Sequence, residues 1–302
     1  MLNNDFYYSY NIHHEYYSVL FNLGTLYFNI GRCDHGGDET KMKDAVKYFQ
    51  YAAYIFDKIK QEIPSVVPAK EIQPDLSTNF LTYASYLCLA NAQALVFEVA
   101  SKKGLALELQ AQLAKGVFDI YTLALNLAKE SLKKTISDEI RIYLNNRRYY
   151  YFGLSLIKMK DATEEVFKTK AEGYGKMIAY MKLCVDSLAE GEKDLKYAKN
   201  LVDINEYTNF KAQAEAKHKE MSEKNLRIYY DSVPEAKSLP KIEKLIKAVP
   251  TPYPDDFNKV VEGQGVLEDM VPKEVRSMVE NYKKTVNLLA NVLDVGLYYF
   301  LP

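Results

Sequence analysis

Two short runs in this chain contain residue types that bind metal ions or phosphate. Gly36-Gly37-Asp38-Glu39 combines carboxylates, which hold metal ions, with glycines, which let a phosphate come close to the backbone. That chemistry needs the four residues at the tip of a β-hairpin, whereas apolar residues at helical spacing lie on both sides of them here. The run therefore predicts a turn between two helices and no catalytic role.

The second run is Glu215-x-x-His218, whose spacing puts both side chains on one side of a helix, as di-iron bundles require. A di-iron site needs a second pair of this kind and two more carboxylates, and the sequence contains no second Glu-x-x-His. The surrounding stretch, residues 211–224, is densely charged. The pair therefore predicts a solvated helix face without a metal ion.

The common signatures of catalysis are missing from the sequence. His13-His14-Glu15 lacks the histidine that zinc peptidases carry four residues after the first, and no nucleophile elbow, phosphate loop or dinucleotide fingerprint is present. Cys33, Cys88 and Cys184 are too scattered for a zinc site or a disulfide framework. The sequence thus predicts a protein that is not an enzyme and uses no cofactor, so its function is expected on its surfaces.

The elements that carry these residues are predicted to be helices throughout. Apolar residues recur at three- and four-residue spacing, and 13 glycines in 302 residues are few for a nucleotide-binding α/β fold. Prolines at 64, 68 and 74 mark a connector, and prolines between 234 and 272 mark an irregular segment. Helices are expected near residues 14–30, 40–61, 76–103, 105–134, 138–159, 163–188, 204–229 and 273–293, with Asp75 and Asp138 as N-caps.

The first two predicted helices resemble a tetratricopeptide hairpin, in which small residues let paired helices approach and aromatic residues fill the next layer. The residue types match in order at Leu23-Gly24, Tyr27, Ala45, Phe49 and Ala52. Fainter copies follow, so we predict an all-α, curved, tetratricopeptide-like solenoid of three helical hairpins. The residues expected to point inward are Val19, Leu20, Leu23, Tyr27 and Ile30 in the first helix and Ala45, Phe49, Ala52, Phe56 and Ile59 in the second.

Charge and composition exclude several classes of function. The chain has 39 basic and 40 acidic side chains, so its net charge of −1 gives no long-range attraction to nucleic acid or acidic lipid. No stretch approaches 18 apolar residues, and residues 1–10 do not read as a secretory leader. The scattered cysteines favour a reducing compartment. We therefore expect a cytoplasmic protein.

The strongest candidate surface lies where the third and fourth predicted helices meet. Leu105, Leu109 and Leu113 form a row at four-residue spacing, on a helix that is apolar on more than one side. Such a helix is either buried all round or leaves one stripe exposed for a partner. The lysines that are expected to form a basic rim near this surface are Lys43, Lys47, Lys102 and Lys103.

Several motifs resemble the BRO domain family. They are Ser18-Val-Leu-Phe-Asn22, Lys43-Asp-Ala-Val-Lys-Tyr-Phe-Gln-Tyr-Ala52, Leu89-Ala-Asn-Ala-Gln93, Ile228-Tyr-Tyr-Asp-Ser-Val-Pro234 and Met270-Val-Pro272. The resemblance covers residues 14–302 in order. It implies one domain over residues 1–302, with 1–13 as the remnant of a longer N-terminal part that includes a small β-sheet, 14–229 as the helical core and 230–302 as a Pro-punctuated packing segment with a last helix.

The resemblance also implies a function. It predicts a non-catalytic adaptor of endosomal sorting whose concave face binds the amphipathic C-terminal helix of an ESCRT-III subunit, and which is recruited from the cytoplasm to endosomes. The apolar receptor for that helix falls on Val96, Leu109, Leu113 and Leu245. The family has a lysine where this chain has Val99, so Lys102 or Lys103 is expected to supply charge selectivity. Tyr229, Val233 and Pro234 are implied to be a structural motif.

Two alternatives remain open from the sequence. One is a tetratricopeptide-like scaffold that binds acidic peptide termini through a lysine-lined groove. The other is a module that binds curved membranes with its convex face. In the leading interpretation, by contrast, contact with the endosomal membrane is indirect and goes through partners, and no nucleic acid is bound.

Overall fold

The computed structural model describes residues 11–33, 37–254 and 284. The chain divides into two compact units, residues 1–252 and 253–302. The described part of the first unit is built of seven α-helices and contains no strand. The helices are α1 (Ile12–Gly31), α2 (Glu39–Val66), α3 (Thr78–Lys102), α4 (Leu107–Lys129), α5 (Asp138–Lys170), α6 (Tyr174–Glu192) and α7 (Ile204–Lys224).

Each helix packs mainly on the one before it and the one after it in the chain, from α1 on α2 to α6 on α7. This neighbour-only packing is what defines a solenoid. The predicted all-α, tetratricopeptide-like architecture is therefore confirmed. The division of residues 1–302 into a single domain stays a prediction, since most of residues 253–302 lies outside the described residues.

The first hairpin shows why small residues were expected there. A Cβ atom on Gly24 would lie 2.9 Å from the Phe56 ring, and one on Gly31 would lie 3.0 Å from the Phe49 ring. The predicted inner face of α2 is confirmed, because Ala45, Phe49, Ala52, Phe56 and Ile59 are all buried.

The inner face of α1 was predicted only in part. Leu20 and Tyr27 are buried, but Val19 and Ile30 are exposed, so their inward placement is wrong. The buried face contains the two glycines of α1, which permit the closest approach of α2. Since α1 is apolar on more than one side, periodicity alone did not distinguish the face with the best contact from its neighbour.

The boundary between the fifth and sixth helices was also predicted wrongly. The sequence analysis ended one helix near Met159 and began the next near Thr163, whereas α5 continues to Lys170. No Gly or Pro lies between those positions, so nothing there stops a helix. The chain instead turns at Ala171 and Gly173, both of which have positive φ angles, 56° and 94°.

Smaller corrections concern helix ends. α2 runs through Pro64 to Val66, because a proline in the last turn of a helix removes only one backbone hydrogen bond. α4 begins at Leu107, and its helical conformation ends at Lys129 rather than near residue 134. The N-caps of α3 and α5 are Ser77 and Ser137, whose hydroxyl groups accept from backbone N–H groups three residues on, and not Asp75 and Asp138.

After α7 the chain makes a π-helical turn at Asn225–Tyr229 and then becomes irregular, as predicted. We call residues 239–252 the strap; they form neither helix nor strand. Every third side chain of the strap packs inward: Leu239, Ile242, Leu245 and Ala248. A three-residue period is that of the polyproline II conformation.

The predicted helix near 273–293 lies outside the described residues, apart from Lys284.

Among the described helices, α3 alone is long and apolar enough to cross a membrane by length and composition, and 56% of the relevant window is buried inside the protein. A central helix of a packed helical protein meets the same criterion, and α3 packs between α2 and α4.

Candidate functional site

The site begins with a buried amide on α3. Gln93 is fully buried, and its Nε2 donates to the carbonyl oxygens of Leu113, at 3.2 Å, and Leu245, at 2.8 Å. Its Oε1 accepts from the backbone N–H groups of Lys247, at 2.9 Å, and Ala248, at 3.1 Å. One side chain thus uses both donors and its acceptor to hold α4 and the strap against α3.

Backbone contacts extend this attachment. The N–H of Leu245 donates to the carbonyl oxygen of Gln112 at 3.0 Å. A Cβ atom on Gly116 would lie 2.6 Å from the Leu245 carbonyl oxygen, so this glycine makes room for the strap on α4. Farther along, the Gln50 amide donates to the Val249 carbonyl at 3.0 Å. The strap is therefore fixed to α2, α3 and α4.

Four half-buried apolar residues lie on the three segments that this attachment joins: Val96 and Val99 on α3, Leu109 on α4 and Leu245 on the strap. We call them the apolar patch. Val96, Leu109 and Leu245 pack on the same buried cluster formed by α3, α4 and α5. The two helices are joined by a short turn, and Gln93 bonds to Leu113 while Ser101 bonds to Gln110. On α3, Val96 and Val99 lie between these two cross-links, and on α4 Leu109 immediately precedes them.

The predicted row of exposed leucines on α4 is corrected by the structure. Leu105 is exposed but precedes the helix, Leu109 is half-buried, and Leu113 is 3% exposed within the core cluster. Leu113 therefore does not offer a free surface to a partner. The backbone of α4 beside it, from Gln112 to Gly116, carries the strap, which supplies Leu245 to the surface instead.

The four predicted rim lysines lie near the start of α2 and the end of α3, and each already contacts a group of this chain. Lys43 and Lys103 both bind Glu39, at 2.6 and 3.0 Å, and Lys47 binds Asp44 at 2.9 Å. Hydrogen bonds from Lys43 and Lys103 hold the pKa of Glu39 below its ordinary value. Lys102 donates to the carbonyl oxygen of Gly37 at 2.9 Å. These contacts tie the start of α2 to the end of α3.

Comparison with known proteins shows the family to which this chain belongs. The family model of the BRO1-like domain matches residues 2–289. This chain belongs to the BRO1-like domain family. ALG-2 interacting protein X of Dictyostelium discoideum is 28% identical over an alignment of 302 residues. The alignment covers 95% of this chain and 37% of that relative. This BRO1-like chain spans about a third of the length of the curated relatives it matches.

Solved structures show the same fold. The ALIX BRO1 domain in complex with CHMP4C has a TM-score of 0.71 at 22% identity, covering 81% of this chain and 64% of that one. A Bro1 domain described as the basis for endosomal targeting has a TM-score of 0.67 at 17% identity, covering 87% and 68%. At these identities, the likeness concerns the architecture of the BRO1-like domain.

The family motif at Ile228–Pro234 follows α7 and packs against the first turn of α6. The Tyr229 ring packs on Tyr174, with centroids 4.1 Å apart, and edge-on against Phe167 at 5.3 Å. The carboxylate of Asp231 accepts from the backbone N–H of Gly175 at 2.8 Å. Val233 is exposed and Pro234 lines a cleft beside α6. In this BRO1-like domain the contacts of Tyr229 join α5, α6 and the turn after α7.

The residues that attach the strap were missed by the sequence analysis, although two signals were present. Gln93 is a polar residue on a helix face whose neighbours Leu89, Ala92 and Val96 are apolar. The strap repeats Leu239, Ile242, Leu245 and Ala248 every three residues, a period that fits neither a helix nor a strand. A buried polar residue needs partners, and a period of three indicates an extended segment packed along one side.

In the metal-like pair on α7, the Glu215 carboxylate has an ordinary ion-pair partner. Lys211 binds Glu215 at 3.5 Å and Glu192 at 2.5 Å, which links α7 to the end of α6. Within the described part of this BRO1-like domain, no group of three or more His, Cys, Asp or Glu side chains is close enough to hold a metal ion. Asp38, from the other run, is the N-cap of α2 and accepts from the Lys41 backbone N–H.

Proposed function

We propose that this BRO1-like chain is a non-catalytic adaptor that binds the amphipathic C-terminal helix of an ESCRT-III subunit on the apolar patch. The observation that carries the proposal is that α3, α4 and the strap, which one buried amide holds together, all carry half-buried apolar residues. An apolar surface built from two helices and an attached extended segment is a suitable receptor for the apolar face of a third helix.

Two further observations support the proposal. ALIX, a structural neighbour with the same architecture, has been solved as a BRO1 complex with CHMP4C. In this chain the patch is bordered in sequence by the exposed residues Leu105 and Ile246, which add apolar area beside Leu109 and Leu245. We infer that the chain acts at endosomes, to which its partner recruits it.

The size of the patch sets the expected strength of binding. Its members are already partly buried, so a partner helix gains about 3–5 kcal/mol gross from their remaining surface and that of the bordering residues. Association also has an entropic cost, which the polar contacts at the edge have to offset. A micromolar affinity corresponds to about −8 kcal/mol, so the patch supplies only part of it, and contacts along the rest of the partner helix have to supply the remainder.

The lysine-lined groove for acidic peptide termini has less support. Lys43 and Lys103 share one carboxylate, Lys47 has its own, and Lys102 holds a backbone carbonyl. An acidic peptide would have to compete with these internal partners. The apolar patch needs no such rearrangement.

The test is a titration of the full chain with a fluorescent peptide of an ESCRT-III C-terminal helix. Leu109→Asp places a charge in the patch and is expected to raise the dissociation constant at least about tenfold, or 1.4 kcal/mol. Val166→Asp is the matched control, because Val166 is an exposed aliphatic residue on another helix, α5.

Circular dichroism and thermal unfolding of both variants establish that they are folded. If Leu109→Asp is folded and binds as tightly as Val166→Asp, the patch is not the receptor. If Leu109→Asp is unfolded, Val96→Thr and Ile246→Asp, which alter the same surface with less disturbance of the core, are titrated in its place.

A further inference from the structure

The first helix presents a continuous apolar row to solvent. Its exposed members are Ile12, Tyr16, Val19, Leu26 and Ile30, which are between 38% and 80% exposed, and Leu23 in the middle is half-buried. These residues lie opposite or beside the face that packs on α2. The row runs almost the whole length of α1, which at 20 residues is about 30 Å.

The spacing of the row is that of a helix that pairs lengthwise with another helix. Successive members are 4, 3, 4, 3 and 4 residues apart, from Ile12 to Ile30. This is a strict alternation with a mean period near 3.5 residues, typical of a coiled-coil seam. A helix that only covers a core needs one apolar face, and α1 already uses its glycine-containing face for that purpose.

We propose that a second copy of this chain docks on this row, with the two α1 helices antiparallel across a two-fold axis. The spacing reads the same in both directions, so the row complements itself. Ile12 then lies opposite Ile30 of the second copy, Tyr16 opposite Leu26, and Val19 opposite Leu23. Self-complementarity of this kind is what a symmetric dimer interface requires.

Charge is compatible with this arrangement. Glu15 is the only Asp, Glu, Lys or Arg within α1. In the antiparallel register it lies opposite position 27, so the two Glu15 carboxylates are about 18 Å apart along the axis and do not repel each other strongly. Asn22 and Asn29, which flank the row, are exposed and polar.

The area is also sufficient for a small dimer. The row exposes about 500 Å² of apolar side chain, a patch size that on soluble proteins is often functional. Two such rows bury about 1,000 Å² together, and the flanking polar residues bring the interface near the lower limit for specific association. We expect a dimer that dissociates in the micromolar range.

The first experiment is sedimentation equilibrium of the full chain from about 1 to 100 μM. The parent chain is expected to dimerise, and the double variant Val19→Glu, Leu26→Glu is expected to raise the dissociation constant at least about tenfold. The matched control is Leu123→Glu, Val166→Glu, which charges two equally exposed residues on α4 and α5. A parent chain that stays monomeric at 100 μM, or a double variant that dimerises like the control, overturns the proposal.

The second experiment tests the direction of the helices, with Cys33→Ser as background because Cys33 is exposed. Asn22 is one residue from the predicted two-fold axis, whereas Asn29 is about 24 Å from its own copy. Asn22→Cys is therefore expected to form a covalent dimer with a short bis-maleimide linker, and Asn29→Cys is not. Equal cross-linking of both indicates a parallel pair and overturns the antiparallel arrangement.

Discussion

A primary amide buried without water has to find all its hydrogen-bond partners within the protein, and Gln93 does so with four backbone groups. Three of these groups belong to the strap, more than 150 positions farther along the chain. Gln93 therefore acts as a positioning residue. It fixes the part of the strap that carries Leu245 to α3 and α4, although its own side chain is fully buried.

Replacing Gln93 by leucine is expected to lower the free energy of unfolding by about 2–4 kcal/mol, since three strap groups lose their partner. Urea unfolding measures the change. Asn91→Leu is the control, because among the described residues the Asn91 amide bonds to Leu87 alone, within the same helix, and a loss below about 1 kcal/mol is expected there. Equal losses in the two variants would show that the strap does not depend on this amide.

Among the elements, the junction between α6 and the segment after α7 depends on one close approach. A Cβ atom on Gly175, in the first turn of α6, would lie 2.0 Å from the carbonyl oxygen of Ser232. The same glycine donates its N–H to Asp231. The family motif that contains Tyr229 can therefore pack on α6 only where α6 has no side chain.

Gly175→Ala is expected to lower the free energy of unfolding by about 2–3 kcal/mol, because the Ser232 backbone has to move. Gly104→Ala is the control: Gly104 has a φ angle of 63° but no neighbour near its Cβ position, so only backbone strain of about 1 kcal/mol applies. Thermal unfolding gives the two values. Limited trypsin digestion should also cut Gly175→Ala faster at Arg227, and unchanged cleavage would contradict the proposed displacement.

For the molecule as a whole, the near-zero net charge predicts how partner binding responds to salt. Long-range steering is weak at a net charge of −1, and the rim lysines already have internal partners. The dissociation constant of the ESCRT-III peptide is therefore expected to change less than about twofold between about 50 and 500 mM salt. A loss of tenfold or more would favour the lysine-lined groove for acidic termini, and the titration described above provides the measurement.

Much of the helical architecture was predictable because the signals are local. Two of the helices, α2 and α7, begin within one residue of the positions that apolar periodicity and charge predicted. The α5–α6 boundary was predicted wrongly because the chain turns at Ala171 and Gly173, and no Gly or Pro stops the helix between Met159 and Thr163. The position of the strap had a signal, the three-residue repeat, that was also local.

The candidate site was predictable only in outline. Val96, Leu109 and Leu245 are half-buried and pack on one core cluster, whereas Leu113 is buried within that cluster, and a role of the first three in binding a partner stays a prediction. The sequence shows that α4 is apolar on several sides and cannot tell which side another segment covers. In α1 the same ambiguity assigned Val19 to the core, whereas the close contact of Gly24 with Phe56 turns it to solvent.

The sequence alone determined the helical class, the absence of the common catalytic signatures and the family, because each of these depends on residues that are close together in the chain. The tertiary structure decided which face of each apolar helix is free, and which residues hold Leu245 at the surface. Those outcomes depend on contacts such as that between Gln93 and Leu245, made by residues far apart in sequence. Helical periodicity carries no information about such partners, since it records only neighbours one turn away.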